Sequence, residues 1–380
     1  MSSPSHKNTV KPEYLLPLYK NENNDAPQNK PSDANTGLWF ERFFDHYAWQ
    51  EPEKKAVPTK VNQKCLKIAD GEKLKWLQKF NSAGDTEALR HAACRQMALV
   101  KQLNGKHKFF NTQWHFVTGT GYPHPVENGL LWHPVHGVPY LSGAAVKGLV
   151  RAWIEQWAEF ATEEERKQRL LSWFGSENKQ STANQAGDII FFDALPVKEV
   201  QLVTDIMTPH YGKWYSEGGN IKDVAKEPEK VPADWHDPIP IPFLVVNKDT
   251  GYLFSVAPRN ALAAERVKMD EVIDCLTQAL EWLGAGAKTA TGYGGFNPIE
   301  KKFADMEEGQ LIDAFSRDYN STKADFQENE WQQVVKFMWK ERKELIDKWA
   351  NSENKNTKKA LNKLKADKEK LCPPTLSTAI

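Results

Sequence analysis

The stretch from Gly137 to Arg151, GVPYLSGAAVKGLVR, decides the fold assignment, because an extended segment changes into a helix within it. Ser142 is a typical N-cap residue, and the small residues that begin with Gly143 leave the N–H groups of the first helical turn accessible to an anion. Lys147 and Arg151 follow one turn apart, on one face of the helix. Two like charges at this spacing repel each other in an isolated helix, so a polyanion lying across both would favour the arrangement. The stretch therefore predicts a helix whose start binds phosphate.

A second interpretation of the same helix needs no ligand. Arg151 stands four residues before Glu155 and can form an ion pair with it, while Lys147 is simply solvated. The helix taken alone does not decide between the two.

The elements on either side of this helix predict the fold class. In chain order they are a strand at 114–118, the helix from Ser142 to about Phe160, a helix at 162–174, a strand pair at 187–196 and 200–209, a hairpin at 239–247 and 251–258, and a helix at 262–283. Strand, helix, strands, helix, strand is the order of a ferredoxin-like βαββαβ unit, which resembles an RNA-recognition (RRM-like) fold. We therefore expect an α+β protein built on an antiparallel sheet.

The flanking regions differ from this core in composition. Residues 1–37 form a flexible polar tail, and 38–111 form a helical and aromatic segment that packs on the core, with two helices between Gly71 and Asn104 that break at Ala83. The core domain is expected at 112–300, and 301–380 form a charged helical C-terminal extension. A solvated surface is the favoured interpretation of that extension, with contact to RNA or to another subunit left open.

Composition limits the classes of partner. Fifty basic and fifty acidic side chains give no net charge, so any affinity for nucleic acid must come from a local surface. The four cysteines lie far apart, which suits a reducing compartment and argues against a zinc site. No signal peptide and no apolar run of membrane-spanning length is found, so we expect a cytoplasmic protein without a membrane partner.

The glycine-rich segment GAGAKTATGYGGF at 284–296 follows the last predicted helix. Its spacing does not match a P-loop, and it follows a helix rather than a strand. The residues that could contact RNA here are Gly284, Gly286, Lys288, Thr289, Gly292, Tyr293 and Gly294. The alternative is a tight connection that requires positive φ angles, and glycine content alone does not separate the two.

The remaining polar clusters point less clearly to function. His210 and Tyr211, in DIMTPHYGKWY, mix cationic and aromatic groups as single-stranded RNA sites do, and could equally form a subunit interface. His133 and His136 lack a metal-binding partner nearby in sequence, so we expect neither a metal nor another cofactor. Glu127 and Asp193 are candidate acids, but no catalytic constellation is evident.

Taken together, five segments occur in the order seen in RAMP-superfamily CRISPR proteins. They are YLSGAAVKGLVR, WFG followed by GDIIFFDALP, DIMTPHYGKWY, PADWHDPIPIPFLVV and GAGAKTATGYGGF. The middle three resemble the family of sixth subunits of type III-B (Cmr) effector complexes, and the resemblance covers 112–298. Many relatives have Pro-Gly-Ser-Ser before the Lys-Gly of the first segment, so hydroxyl contacts to phosphate are lost at Ala144 and Ala145.

The resemblance implies a non-catalytic, crRNA-binding subunit that caps one end of the backbone filament near the 3′ part of the crRNA. Its partners would be the crRNA, the target RNA in the assembled complex and other Cmr-type subunits. In this interpretation Lys147, Arg151 and Lys288 neutralise phosphates, and 210–215 touch bases or the adjacent subunit.

Two other functions remain open. One is a RAMP endoribonuclease that processes crRNA or cuts target RNA with His124, Glu127 or His133. The other is a protein-only assembly factor that uses the aromatic N-terminal segment and the charged C-terminal helices.

Overall fold

The structure is a computed structural model of the 380-residue chain. It describes residues 29–44, 47–50, 65–68, 71–176, 184–209, 211–218, 221, 223–233, 240–304, 306–316 and 328–371. The chain divides into two compact units. The first comprises Met1–Gly84, Gly119–Val138 and Leu202–Val245, and the second comprises Asp85–Thr118, Pro139–Gln201 and Val246–Ile380.

The strands are β1 (Tyr47–Gln50), β2 (Cys65–Ile68), β3 (Ser82–Ala83), β4 (Lys106–Thr112), β5 (Gly175–Ser176), β6 (Gln185–Ala186), β7 (Ile189–Phe191), β8 (Leu195–Pro196), β9 (Val200–Met207), β10 (Ile241–Val246), β11 (Gly251–Pro258) and β12 (Phe296–Pro298). The helices are α1 (Thr36–Arg42), α2 (Glu72–Leu77), α3 (Thr86–Gln102), α4 (Gly143–Gln156), α5 (Glu163–Phe174), α6 (Gly212–Glu217), α7 (Ala261–Arg266), α8 (Met269–Trp282), α9 (Ile299–Ala304), α10 (Glu308–Ser316), α11 (Glu328–Glu341), α12 (Lys343–Ala350) and α13 (Lys355–Leu371). Within this described part of the chain, no helix combines the length and the apolar character needed to cross a bilayer.

The second unit contains the predicted ferredoxin-like core. Its main sheet has the strand order β12-β4-β11-β7, and β8 also pairs with β11. All of these pairs are antiparallel. With α4 between β4 and β7, and α8 between β11 and β12, the connectivity is βαββαβ. The α+β prediction is confirmed.

Aromatic side chains fill one face of this sheet. Phe110, Tyr252, Phe254 and Phe296 meet edge to face, with ring centroids 5.3 to 5.7 Å apart. Helix α8 packs on β4, β11 and β12, and α4 packs on α8 and β7. The sheet and these two helices therefore enclose an apolar core that holds both helices against the sheet.

The C-terminal helices cover the opposite face. Phe109 and Leu253 lie directly across from each other in the β4–β11 ladder and are fully buried. They share one hydrophobic cluster with the apolar stripes of α9 to α13, including Phe315 and Trp349. The charged C-terminal extension is helical as predicted, and its apolar side forms part of the core of the second unit.

Two pairing predictions are wrong. The segments around β10 and β11 do not form a hairpin, because β10 pairs with β9 whereas β11 pairs with β4 and β7. The connection between them hydrogen-bonds instead to the end of β4, where Asp249 N–H donates to Thr112 O at 2.9 Å. Likewise, β7 and β9 are not partners but lie in different sheets.

Two element boundaries also differ from the prediction. The first core strand lies at Lys106–Thr112, and 114–118 contribute only an isolated bridge between Phe116 and Val246. Phe109 and Phe110 are buried on opposite faces of the sheet, so the usual alternation of apolar and polar residues is absent. The helix predicted at 262–283 is divided by the extended residue Val267.

The first unit contains the β10-β9-β3 sheet, the β1–β2 pair and an aromatic cluster. Phe40 of α1 stacks on His124 with ring centroids 4.1 Å apart and meets Phe80 edge to face. Trp76 contacts Phe80 and Phe44 in the same cluster. The aromatic residues after residue 37 therefore pack within the chain. Of the predicted flexible tail, residues 1–28 lie outside the described residues.

Candidate nucleic-acid interface

The start of α4 has the predicted N-cap, but its other polar groups are engaged within the chain. Ser142 Oγ accepts a hydrogen bond from Ala145 N–H at 3.3 Å. Gly143 N–H donates to a carboxylate oxygen of Asp193 at 2.6 Å. A carboxylate at this position satisfies both the N–H group and the positive end of the helix dipole. A phosphate bound here would have to compete with Asp193.

Gly143 has a packing role that the sequence did not reveal. A Cβ atom at this residue would lie 2.2 Å from the carbonyl oxygen of Phe191. The glycine is therefore required because the backbone of β7 approaches the helix closely.

Both cations of α4 have partners in the chain. Lys147 Nζ donates to the carbonyl oxygen of Phe174 at 3.1 Å and so caps the last turn of α5. Arg151 Nε donates to Glu155 at 2.7 Å, which is the ion pair of the ligand-free interpretation. Their role in binding RNA stays a prediction, and it would require an exchange of these partners.

The glycine-rich loop between α8 and β12 is a tight connection with positive φ angles that favour glycine. Gly284, Gly286, Gly292 and Gly294 all have φ between 70° and 91°. A Cβ atom at Gly294 would lie 1.9 Å from Ala285 O, and one at Gly286 would lie 2.3 Å from Val117 O. Close approach of backbone to backbone therefore explains these two glycines.

Three backbone hydrogen bonds of 2.8 Å fix the base of the loop to the segment after β4. Gln113 N–H donates to Gly295 O, Gly294 N–H donates to His115 O, and Ala287 N–H donates to Val117 O. These bonds hold the base of the loop in one conformation and let its tip, residues 288–293, extend from a rigid support.

The tip of the loop differs from its base. Lys288 adopts the left-handed conformation with φ of 61°, and a short 3₁₀ helix at Thr289–Thr291 follows it. A Cβ atom at Gly292 would meet nothing within 4 Å. The backbone around Gly292 is therefore open to an approaching ligand, and a lysine stands at the start of the same turn.

An aromatic stack next to this loop was missed by the sequence reasoning. The Trp114 ring stacks on His115 with centroids 4.6 Å apart and planes 23° apart. His115 in turn lies 6.3 Å from Tyr293 of the loop tip, and Lys248 Nζ lies 5.9 Å from the Trp114 ring centroid. We call Trp114, His115, Tyr293 and Lys248 the Trp114 stack. The wrong strand assignment hid it, because β4 ends at Thr112 and leaves Trp114 in a loop, 49% exposed.

The second predicted RNA-contacting segment lies in the first unit. His210 falls outside the described residues. Tyr211 is half-buried at the start of α6, and Trp214 and Tyr215 of that helix are exposed. Whether this segment contacts RNA or another subunit stays a prediction.

The histidines and the acid considered for catalysis have structural contacts. His124 accepts a hydrogen bond at Nδ1 from Val126 N–H, so its Nε2 carries the proton and donates to Phe40 O at 2.9 Å. Burial lowers the pKa of His124 and so favours this neutral form. His133 Nδ1 accepts from the N–H of His136, and Glu127 pairs with Lys73. Where the structure describes side chains, no three His, Cys, Asp or Glu residues come together as metal ligands would.

A known protein family matches the same part of the chain in which the core domain was expected. The model of the RAMP superfamily matches residues 110–297. This range agrees with the segment 112–298 that carries the quoted motifs, and it confirms the resemblance to RAMP proteins.

Two curated relatives are both described as Cmr6 subunits of a CRISPR system. The protein of Pyrococcus furiosus is 32% identical over 234 residues, covering 49% of this chain and 65% of the relative. That of Saccharolobus solfataricus is 31% identical over 93 residues, covering 24% of this chain and 28% of the relative. The chain thus spans less than two thirds of the length of either relative.

Two solved structures are similar to parts of this chain. One is a type III-B Cmr-beta complex bound to cognate target RNA, with a TM-score of 0.42 at 20% identity, covering 60% of this chain and 70% of that chain. The other is the crystal structure of Cmr6 from Pyrococcus furiosus, with a TM-score of 0.30 at 25% identity, covering 51% of this chain and 97% of that chain.

Proposed function

We propose that this chain, whose residues 110–297 form a RAMP-superfamily domain, is a Cmr6-like subunit of a type III-B CRISPR complex that binds crRNA. The family match and the relative at 32% identity support the assignment to such a complex. In the proposed role the subunit caps one end of the backbone filament, near the 3′ part of the crRNA. Its partners are the crRNA, the target RNA in the assembled complex and other Cmr-type subunits.

The proposal that the chain binds RNA rests on the geometry of the tip of the glycine-rich loop. Its base is fixed by backbone hydrogen bonds to Gln113 and His115, while the space beside Gly292 is open. A sugar-phosphate backbone can approach such a turn closely, and Lys288 places a positive charge at its start. Contacts of this type position the RNA without reading its sequence, as a subunit that accepts any guide requires.

Helix α4 contributes less in this proposal, because the N–H group at its start already bonds to the Asp193 carboxylate. A phosphate bound to Lys147 or Arg151 would exchange with Phe174 O and Glu155. Ser142 and Gly143 offer little to an anion while Asp193 occupies the start of the helix. Tyr211 and His210 are proposed to touch bases or the adjacent subunit.

We propose further that the subunit itself is non-catalytic. His124, which an endoribonuclease would use as a general base, is buried and donates the proton on Nε2 to a backbone carbonyl oxygen. His133 and Glu127 are engaged in the loop contacts described above. A general base needs a basic atom within reach of the hydroxyl that it deprotonates, and neither ring nitrogen of His124 is available for this.

The identity of the complex is tested by purifying a tagged copy from its native cells, sequencing the RNA and identifying the proteins that come with it. Recovery of short repeat-derived RNAs with other Cmr-type subunits is expected. Recovery of the subunits without RNA after nuclease treatment, and with no protein–RNA crosslink, would instead favour the assembly factor.

The loop is tested with the full-length chain and a labelled repeat-derived RNA. Lys288→Ala should weaken binding by about fivefold, since one phosphate contact is lost. Lys268→Ala is the matched control, because Lys268 is an exposed lysine of the same unit that pairs with Glu271. Equal affinities for the two variants would contradict the assignment of the loop tip.

A further inference from the structure

We propose that the Trp114 stack is a base-binding platform on which an unpaired base of a single-stranded RNA stacks. The inference rests on the proposed RNA binding at the glycine-rich loop and adds a second kind of contact to it. The loop tip contacts the phosphate, whereas the base stacks on Trp114.

The first argument is exposure. Trp114 is 49% exposed although one side of its ring is stacked on His115. Tryptophan carries a large apolar surface, and leaving half of it in water forgoes a substantial stabilisation by burial. Because every nucleobase has a flat π face, a base laid on the indole would bury this surface without selecting a sequence.

The second argument is rigidity. The backbone under the stack is held from one side by the glycine-rich loop, through the hydrogen bonds of Gln113 and His115. It is held from the other side by Val246, which exchanges two backbone hydrogen bonds of 3.0 and 2.8 Å with Phe116. The Gln113 side chain also donates to Asn297 at 2.6 Å. A ring on such a support loses little conformational entropy when a ligand binds.

The third argument is charge. Lys248 Nζ lies 5.9 Å from the centroid of the Trp114 ring, and Lys288 begins the tip that carries Tyr293, the next ring beyond His115. The platform therefore has a cation from each of two loops. An unpaired nucleotide supplies the matching pair of groups, a planar base and a phosphate, which an apolar protein segment does not.

The test compares full-length wild-type protein with Trp114→Ala, Trp114→Phe and Trp157→Ala. Trp157 is the matched control, since it is 62% exposed at the end of α4 in the same unit. Each protein is titrated with a single-stranded repeat-derived RNA and with an abasic oligomer of the same length and charge.

For Trp114→Ala we expect a loss of roughly tenfold in affinity for the RNA and little change for the abasic oligomer, because only the base stacks. The Phe variant should retain most of the affinity, and the Trp157 variant all of it. The dependence of binding on salt should be the same for Trp114→Ala as for the wild type, in contrast to Lys288→Ala. Ultraviolet crosslinking of the unmodified protein should place an RNA adduct on Trp114, a result that does not depend on how the variants fold.

Three outcomes would overturn the proposal in different ways. Equal losses for RNA and abasic oligomer, or none, with wild-type binding intact would refute the platform and leave the proposed function standing. Absence of RNA binding by the wild type would refute both. Normal RNA affinity of Trp114→Ala together with loss of a Cmr-type protein from the purified complex would assign the stack to subunit docking.

Discussion

The start of α4 and the glycine-rich loop look alike in sequence and differ in structure. Each has small residues followed by a lysine, in LSGAAVK and in GAGAK. At α4 the first N–H group bonds to Asp193 and Lys147 bonds to Phe174. At the loop the base is bonded to the segment after β4, the tip forms a turn closed by its own backbone hydrogen bonds, and the space beside Gly292 is open. Small residues before a lysine therefore predict that another group approaches the backbone closely. The tertiary structure decides whether that group belongs to the protein or can be a ligand.

The largest loss of stability should come from substituting the glycine in each region whose Cα is closely approached by the backbone of another segment. Gly294→Ala and Gly143→Ala would place Cβ atoms 1.9 and 2.2 Å from carbonyl oxygens. Each should lower the free energy of unfolding by more than about 3 kcal/mol, because backbone must move to relieve the clash. Denaturation in urea, monitored by circular dichroism, measures this.

Gly148→Ala is the control inside the same helix. Nothing lies within 4 Å of its Cβ position, so the alanine should stabilise the chain by about 0.5 to 1 kcal/mol. If Gly143→Ala were as benign as Gly148→Ala, the packing explanation for the start of α4 would be wrong.

Gly292→Ala should lower the free energy of unfolding by an intermediate amount. It therefore measures the cost of the positive φ angle without that of a steric clash. Its φ of 91° costs a residue with a Cβ atom about 1 to 2 kcal/mol, with no clash added. The same urea titration applies. A loss as large as that of Gly294→Ala would mean that the space beside Gly292 is filled.

The two lysines should respond differently in RNA binding. Lys288→Ala is expected to reduce affinity about fivefold and to lower the slope of log K against log salt by about 0.7, the value for one contact on a single strand. Lys147→Ala should change affinity by less than about twofold and stability by about 0.5 kcal/mol, since it removes a helix-capping hydrogen bond. Titrations at several salt concentrations measure both. A larger loss of RNA affinity for Lys147→Ala than for Lys288→Ala would mean that the start of α4, and not the glycine-rich loop, is the main site of RNA contact.

Asp193→Asn should produce the smallest change. The amide oxygen can still accept from Gly143 N–H, while the interaction of the negative charge with the helix dipole is lost, at a cost of about 0.5 kcal/mol. We expect unchanged RNA affinity. Binding several times tighter than that of the wild type would show that the carboxylate suppresses an anion site at the start of α4.

Local features of this protein were predictable because neighbouring residues determine them. Ser142 caps α4 and Thr162 caps α5, as their hydroxyls and the residues that follow indicate. The helix boundary near Ala83 and the βαββαβ order follow from periodicity and turn residues in the same way. For the glycine-rich loop the sequence left open a contact to RNA or a tight connection with positive φ angles, and the structure shows the positive φ angles.

Strand partners were not predictable in the same way. IPFLVV and GYLFSVAP look like a hairpin, yet they belong to different sheets because each finds its partner far along the chain. The pairing of Leu253 with Phe109 depends on burial under helices from the C-terminal region. Such contacts depend on the sum of packing across both faces of the sheet, which no short window of sequence contains.

The amino-acid sequence by itself determined the resemblance to RAMP proteins, the class of fold and the cap of α4, because these depend on residues close together in the chain. Only the tertiary structure decided that Asp193 occupies the start of α4, that Trp114 stands exposed beside Lys248, and that His115 lies near Tyr293. Each of these arrangements joins residues fifty or more positions apart, and the free energy that brings them together comes from burying the whole core.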